Sequence, residues 1–261
     1  AARVLGITLI FIASYAGTPT LSRLQHLLSP LLAAEQQCET LFSDGDRALF
    51  RFVQTRGKVD FNQYRGLTLG EIRVVVLPVF DIDNPEEDLW LYRTANRIHV
   101  STRHSTVRRQ LTLRTGAVLD PARVEENERR LRDKTYFADA MILPAQVCAD
   151  RIDLLVVVRD VWTLTPIASA SREGGEDTAS GGFSYDNAFG SGHSISVAWS
   201  TDPERDSIAT WWSATDLFGH HISMTAAYVD STDGDLRLVD AQRPFYQLNS
   251  RWSGGGRWQR Q

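Results

Sequence analysis

The sequence has little of what most enzymes and metal proteins need. Cys38 and Cys148 are its only cysteines, too far apart for a paired-ligand motif. One bridge is open to them in an oxidising compartment, but two unpaired thiols are the simpler and expected state. The six histidines, His26, His99, His104, His193, His220 and His221, include no His-Glu-x-x-His spacing, and adjacent His220 and His221 would point to opposite faces of a strand. Gly190, Ser191 and Gly192 do not form a Gly-x-Ser-x-Gly elbow, and their spacing also fails the dinucleotide fingerprint. The sequence therefore nominates no catalytic residue, metal site or cofactor, and no small-molecule substrate. A formal net charge of -4 lacks the basic footprint of a nucleic-acid binder. After residue 13 no apolar run is long enough for a membrane helix, so any crossing segment must be a strand.

What is present is organised in four stretches. Arg3 precedes an apolar run over residues 4–13, followed by the small residues Ser14 and Ala16. This is the order of a secretory signal without its first residues; a buried N-terminal helix is the other reading. A weaker amphipathic run (Leu21, Leu24, Leu27, Leu28, Leu31, Leu32) completes a leader over residues 1–37, and residues 38–66 read as a linker.

Residues 67–166 read as mixed α/β. A β-branched run over 71–80 predicts a strand, bounded by Gly70 and the acidic turn at 81–85. Ser101 and Thr102 offer caps for a helix over 103–113 carrying Val107 and Leu111. Asp120 followed by Pro121 caps a second helix over 122–134, with Val124, Asn127 and Leu131 on one face. Two strands follow, over 137–148 and 151–161, joined by a hairpin-length turn at Ala149 and Asp150. The order strand-helix-helix-strand-strand predicts a three-stranded sheet covered on one face by two helices. Glu125, Glu126 and Glu128 stand three and four residues from Arg129, Arg130 and Arg132, the pattern of a solvated helix face. Arg103, His104, Arg108 and Arg109 form a basic cluster, also read as solvated.

That element order, the helix text Val124-Glu125-Glu126-Asn127-Glu128-Arg129-Arg130-Leu131-Arg132, the segment Tyr136-Phe137-Ala138-Asp139-Ala140 and the closing Leu155-Val156-Val157-Val158-Arg159-Asp160-Val161-Trp162-Thr163-Leu164 resemble the polypeptide-transport-associated (POTRA) module of the BamA/TamA family. The resemblance implies that the third strand is central and the second lies at the sheet edge. Its residues Ala138, Asp139, Ala140, Met141, Ile142, Leu143, Ala145, Gln146 and Val147 then offer unpaired backbone for β-augmentation by a client strand. Pro144 suits an edge position.

Residues 167–261 read as β only. Ile195, Val197 and Trp199 alternate with Ser194, Ser196 and Ser200, the two-faced code of a strand with lipid on one side and water on the other, although a soluble sandwich carries the same code. Asn187-Ala188-Phe189-Gly190 recurs as Asp216-Leu217-Phe218-Gly219, 29 residues later, at the period of a repeated hairpin. These turns and the segment Gln242-Arg243-Pro244-Phe245 resemble the opening hairpins of the same family's barrel. The fold class expected is thus an α+β POTRA module (β-α-α-β-β) followed by antiparallel transmembrane β-barrel strands. Six or seven strands fall short of the roughly eight a barrel needs, so the barrel is incomplete and the chain reads as a fragment.

The resemblance implies a bacterial outer-membrane protein of the assembly or translocation type. Its 67–166 module would stand in the periplasm, and its partners would be outer-membrane lipid and unfolded client polypeptides or periplasmic assembly factors. The alternative is a structural or surface-antigen barrel without insertase activity. The family's defining arginine-containing loop lies late in the chain and has no counterpart in these residues.

Overall fold

The computed structural model describes residues 38–55, 57, 59–217, 219–247 and 250–261, so the leader expected over 1–37 lies outside the described residues. The chain is mostly β, with two sheets. In the first, β1 (Glu39–Thr40), β2 (Thr68–Leu77), β3 (Phe137–Val147) and β4 (Arg151–Asp160) take the spatial order β1-β3-β4-β2. Central β4 runs parallel to β2 and antiparallel to β3. A parallel pair needs a crossover, and the chain between β2 and β3 supplies it with α2 (Trp90–Ile98), α3 (His104–Gln110) and α4 (Pro121–Arg132).

The apolar run of β4 is continuous because both faces of this sheet are buried. Leu154, Val156 and Val158 join Ile142, Val107, Val124 and Leu131 under α3 and α4, whereas Leu155 and Val157 join Met141, Leu143, Leu49 and Val53 under α1 (Ala48–Thr55). The one-faced, three-stranded sheet read from the sequence is therefore corrected. Residues 38–66 are no linker: they contribute β1, α1 and a 3-10 turn at Phe61–Tyr64, and they close the second face of the sheet.

The cysteines are also corrected, because Cys38 and Cys148 form a disulfide with an S–S distance of 2.03 Å. β1 runs antiparallel to the end of β3, with Glu39 opposite Val147 and Thr40 opposite Gln146, which brings the residues just outside both strands together.

Helix α4 follows its sequence signals closely. The Asp120 carboxylate accepts from the Ala122 N–H, Pro121 takes the first helical position, and Val124, Asn127 and Leu131 are buried. Asn127 is fully satisfied inside, accepting from the Thr112 N–H at 2.7 Å and donating to the Arg123 carbonyl at 2.7 Å. Helix α3 is shorter than expected and its N-cap is Arg103, because Thr102 is held elsewhere by Asp160. Helix α2 was not expected.

The second sheet is an antiparallel meander of seven strands: β5 (Leu164–Glu173), β6 (Glu176–Ala188), β7 (His193–Thr201), β8 (Asp206–Leu217), β9 (Ile222–Ser231), β10 (Gly234–Arg243) and β11 (Gly254–Arg260). Strand β5 crosses the 166/167 boundary drawn from the sequence. The register separates two faces. Leu164, Tyr185, Ile195, Trp212, Ala226, Val239 and Trp258 stand opposite one another across all seven strands, an unbroken apolar row on one face. On the other face Ser169 and Ser180, and Ser200 and Ser207, bond through their hydroxyls, and Arg257 pairs with Asp240 at 2.9 Å. No helix among the described residues is long and apolar enough to cross a membrane.

Candidate functional site

The first candidate is the outer edge of β3. Among the nine residues nominated there, Ala138 is exposed, Asp139 to Ala145 are buried, and Gln146 and Val147 are half-buried. Several of their outward backbone groups are engaged by this chain. The Glu128 carboxylate accepts the Ile142 N–H at 2.7 Å, and Arg132 donates to the Ala140 carbonyl at 3.0 Å. The Asp139 carboxylate accepts the Ala140 N–H at 2.8 Å. Further along, Leu41 and Phe42 both donate to the Ala145 carbonyl, and β1 pairs with Gln146 and Val147. A ladder shift falls between Pro144 and Gln146, where proline cannot donate. In the sheet order β3 lies between β1 and β4; β1 pairs only with its last two residues, and two side chains of α4 bond to the stretch before them.

Glu128 and Arg132, read from the sequence as part of a solvated face, thus serve the strand as well as each other, at 3.7 Å. Burial pushes the Glu128 carboxyl above its ordinary range, opposed by the Ile142 N–H and by Arg132. An acid with a raised native pKa is held protonated more tightly in the folded state. Its stabilising contribution is therefore complete below the ordinary value near 4.5 and declines as pH climbs through the raised one. Glu128→Gln keeps an acceptor for Ile142 and removes this slope, whereas Glu128→Ala leaves a buried N–H unmet at a cost of about 1–3 kcal/mol. Urea midpoints of wild type and both variants between acidic and neutral pH test this.

The second candidate is the joint where the first sheet meets the meander. Asp160, at the end of β4 and 1% exposed, accepts the Thr102 N–H at 2.8 Å, the Thr102 hydroxyl at 2.6 Å and lies 3.1 Å from His99 Nε2. The Asn187 amide then donates to Thr102 Oγ1 at 2.6 Å, and its oxygen accepts the Gly192 N–H at 2.7 Å. Arg103 N–H and the Thr106 hydroxyl both donate to the Gly190 carbonyl. Gly190 is required twice over: its φ is +69° and a Cβ there would stand 2.3 Å from the Ser101 carbonyl oxygen.

The tetrapeptide repeat is a repeated turn. As Asn187 accepts the N–H of Gly192, so Asp216 accepts that of His221 at 2.7 Å, five residues on in both cases. Gly190 and Gly219 have φ of +69° and +72°, and Gly192 and His221 have +77° and +57°. His221 thus lies in a turn, where with His220 it precedes β9 rather than occupying it. Its ring stacks on Tyr246 at 4.0 Å. The two turns differ in charge for a local reason. Asn187 adjoins buried Asp160, whereas Asp216 faces Arg130 and Lys134, both pushed below their usual values by burial, with Asp216 acting against that. Asp216 Oδ2, Arg130 Nη1 and Tyr136 OH are buried without a hydrogen-bond partner in this joint.

The sequence signalled Asn187 and Asp216 through the repeat. It gave no signal for Thr102, Asp160 and His99 as one network, since their contacts span 58 to 85 residues. No group of side chains arranged for a metal ion occurs among the described residues.

What fold and joint define together is a two-sheet protein: a double-faced α/β module docked on the turns of a seven-stranded antiparallel meander. The sequence matches no protein-family model and no curated protein. Solved structures with a similar fold include two that follow. One is BamA from Haemophilus ducreyi lacking POTRA domains 1-3, 15% identical, with a TM-score of 0.45 over 67% of this chain and 31% of that one. The other is CdiB from Acinetobacter baumannii, 13% identical, with a TM-score of 0.43 over 91% of this chain and 60% of that one. The chain spans less than two thirds of the length of either.

Proposed function

We propose that the chain is an outer-membrane protein of the assembly or transport type, its seven-stranded meander forming part of a barrel wall and its α/β module standing in the periplasm. The observation that carries this reading is the register of the meander. A soluble sandwich buries one face against a second sheet, whereas here the apolar face presents Leu164, Phe183, Trp199, Ile208 and Trp258 uncovered, and the opposite face carries the paired serine hydroxyls, with Trp211 and Ile167 among them. The strands from β5 to β10, 9 to 13 residues long, suit a tilted crossing of a bilayer. The order β2-α2-α3-α4-β3-β4, which keeps the two helices read from the sequence and adds α2 before them, with β4 paired to both β2 and β3, supports the POTRA reading of the module.

In this reading the module receives client polypeptide and the wall aids its insertion or passage. The bonds from Glu128 and Arg132 to β3 mean that a client strand adds there only by displacing them. That engagement favours the alternative, a structural or surface-antigen barrel without insertase activity, for as long as the edge stays held. Neither role calls on catalysis or a cofactor.

Val197 sits at the middle of β7 on the apolar face and Ser196 beside it on the other. Val197→Arg is expected to cost roughly 2–4 kcal/mol at the bilayer midplane, while Ser196→Arg costs little. The readout is the amount of heat-modifiable protein in outer-membrane fractions. Recovery of both variants and the wild type in the soluble periplasm overturns the reading.

A further inference from the structure

Helix α2 carries a surface that the module does not use. Tyr92 stacks on Phe80 and Asn96 exchanges hydrogen bonds with the Phe80 backbone, fixing one face of the helix inward. The opposite face is apolar and uncovered: Trp90 is 76% exposed, Ile98 64% and Leu91 54%. These positions, with Thr94 between them, share one side of a 3.6-residue helix. Arg97 borders that side and has no carboxylate partner among the described residues. Arg93 lies beyond it and is held by Asp88.

The position of the helix says what covers this face. Its C-cap, His99, is pinned to Asp160 at 3.1 Å, and its ring lies 6.4 Å from that of Trp162. Trp162 in turn donates through its indole N–H to the carbonyl of Leu164, the first residue of the apolar row. Two residues past His99, Ser101 packs against Gly190 in the turn between β6 and β7. The chain leaving α2 is thus tied first to the end of β4, through His99, and then to the β6–β7 turn of the meander, through Ser101. Trp162, itself exposed, stands between the end of α2 and Leu164, where the apolar row begins.

We propose that α2 is a lipid-contacting helix. It lies on the module-side leaflet of the bilayer that holds the meander, Trp90, Leu91 and Ile98 entering the acyl boundary and Arg97 meeting anionic phospholipid headgroups. This inference rests on the barrel-wall reading. A short amphipathic helix with Trp, Leu and Ile on one side and arginine at the border has the composition of an interfacial anchor, and it binds an anionic surface more strongly than a neutral one. Held at its C-terminal end by β4 and by the β6–β7 turn, it binds without the entropic cost a free helix meets, so two turns suffice.

The test uses the whole chain with its native bridge intact, carrying Ile98→Cys labelled with the fluorophore NBD and folded into vesicles of phosphatidylcholine with phosphatidylglycerol. Brominated phospholipid is expected to quench most of the emission at position 98 and little at Glu86→Cys, just past the acidic turn. Arg97→Ala is expected to weaken the quenching in phosphatidylglycerol vesicles and leave it unchanged in phosphatidylcholine alone. A label at Val197→Cys separates the two claims. Quenching at 197 without quenching at 98 overturns the helix proposal and leaves the wall reading standing, while quenching at neither overturns both. Emission at 98 that responds to protein density and ignores bromination assigns the face to a second copy of the chain and also overturns the proposal.

Discussion

Replacing both cysteines by alanine is expected to lower the stability of the α/β module by roughly 4–5 kcal/mol, the loop-closure contribution of a bridge spanning about a hundred residues. Cys38 and Cys148 are separated by 110 positions, so the bridge removes a large loop from the unfolded ensemble. Its local role is as important. Without it, β1 is held on β3 by two register pairs and the bonds of Leu41 and Phe42 to the Ala145 carbonyl. Once β1 loosens, the chain leading to α1 is freed, and with it the cover that Leu49 and Val53 provide for Leu143, Leu155 and Val157. A loss of this size is a large part of the 5–15 kcal/mol typical of a domain. Urea unfolding of wild type with and without reductant, beside the double alanine variant, measures it; an unchanged midpoint contradicts the structural role given to the bridge.

Asn187→Asp is expected to cost about 3–5 kcal/mol, the usual penalty of an uncompensated buried charge. The Thr102 hydroxyl has one proton, and the Asp160 carboxylate, which only accepts, takes it. The lone pairs of Thr102 Oγ1 are then met by the Asn187 amide N–H. A carboxylate at 187 places a second acceptor against a hydroxyl with no proton left to give, in a site where Asn187 is 1% exposed. The mirror change, Asp216→Asn, removes only an attraction to Arg130 and Lys134 and is milder. Thermal unfolding of the two single variants distinguishes them; equal shifts contradict the assignment of charge to each turn.

Much of this architecture was legible in the sequence. The Asp120-Pro121 start of α4, the buried run of β4 and the alternation in β7 were readable because each is a local pattern tied to one period or one cap. The second face of the module was not. Helix α1 has eight residues, and its burial is decided by β3 and β4, far along the chain. The disulfide was hidden for the same reason, since only the pairing of β1 with β3 brings its cysteines together. Helix α2 escaped because Leu89, its N-cap, offers no capping side chain, and because its apolar side faces outward instead of joining a core. Glu128 and Arg132 fit a solvated helix face by spacing alone, and nothing local says that their ends reach the backbone of β3. The repeat at Asn187 and Asp216 was visible as text, while its role in docking the module depends on Thr102, Asp160, Arg130 and Lys134, which only the folded chain brings near.

The central claim is that one face of the meander meets lipid and the other meets water. Single cysteines placed at each position from 194 to 199 in β7, in cells carrying the protein in their envelope, test it most directly through labelling by a membrane-impermeant thiol reagent. The account predicts an alternation of period two. Positions 194, 196 and 198 react from the aqueous side, whereas positions 195, 197 and 199 are protected and are reached only by a lipid-soluble reagent. Equal reaction at all six positions, or protection of the serine face with exposure of Ile195, Val197 and Trp199, contradicts it.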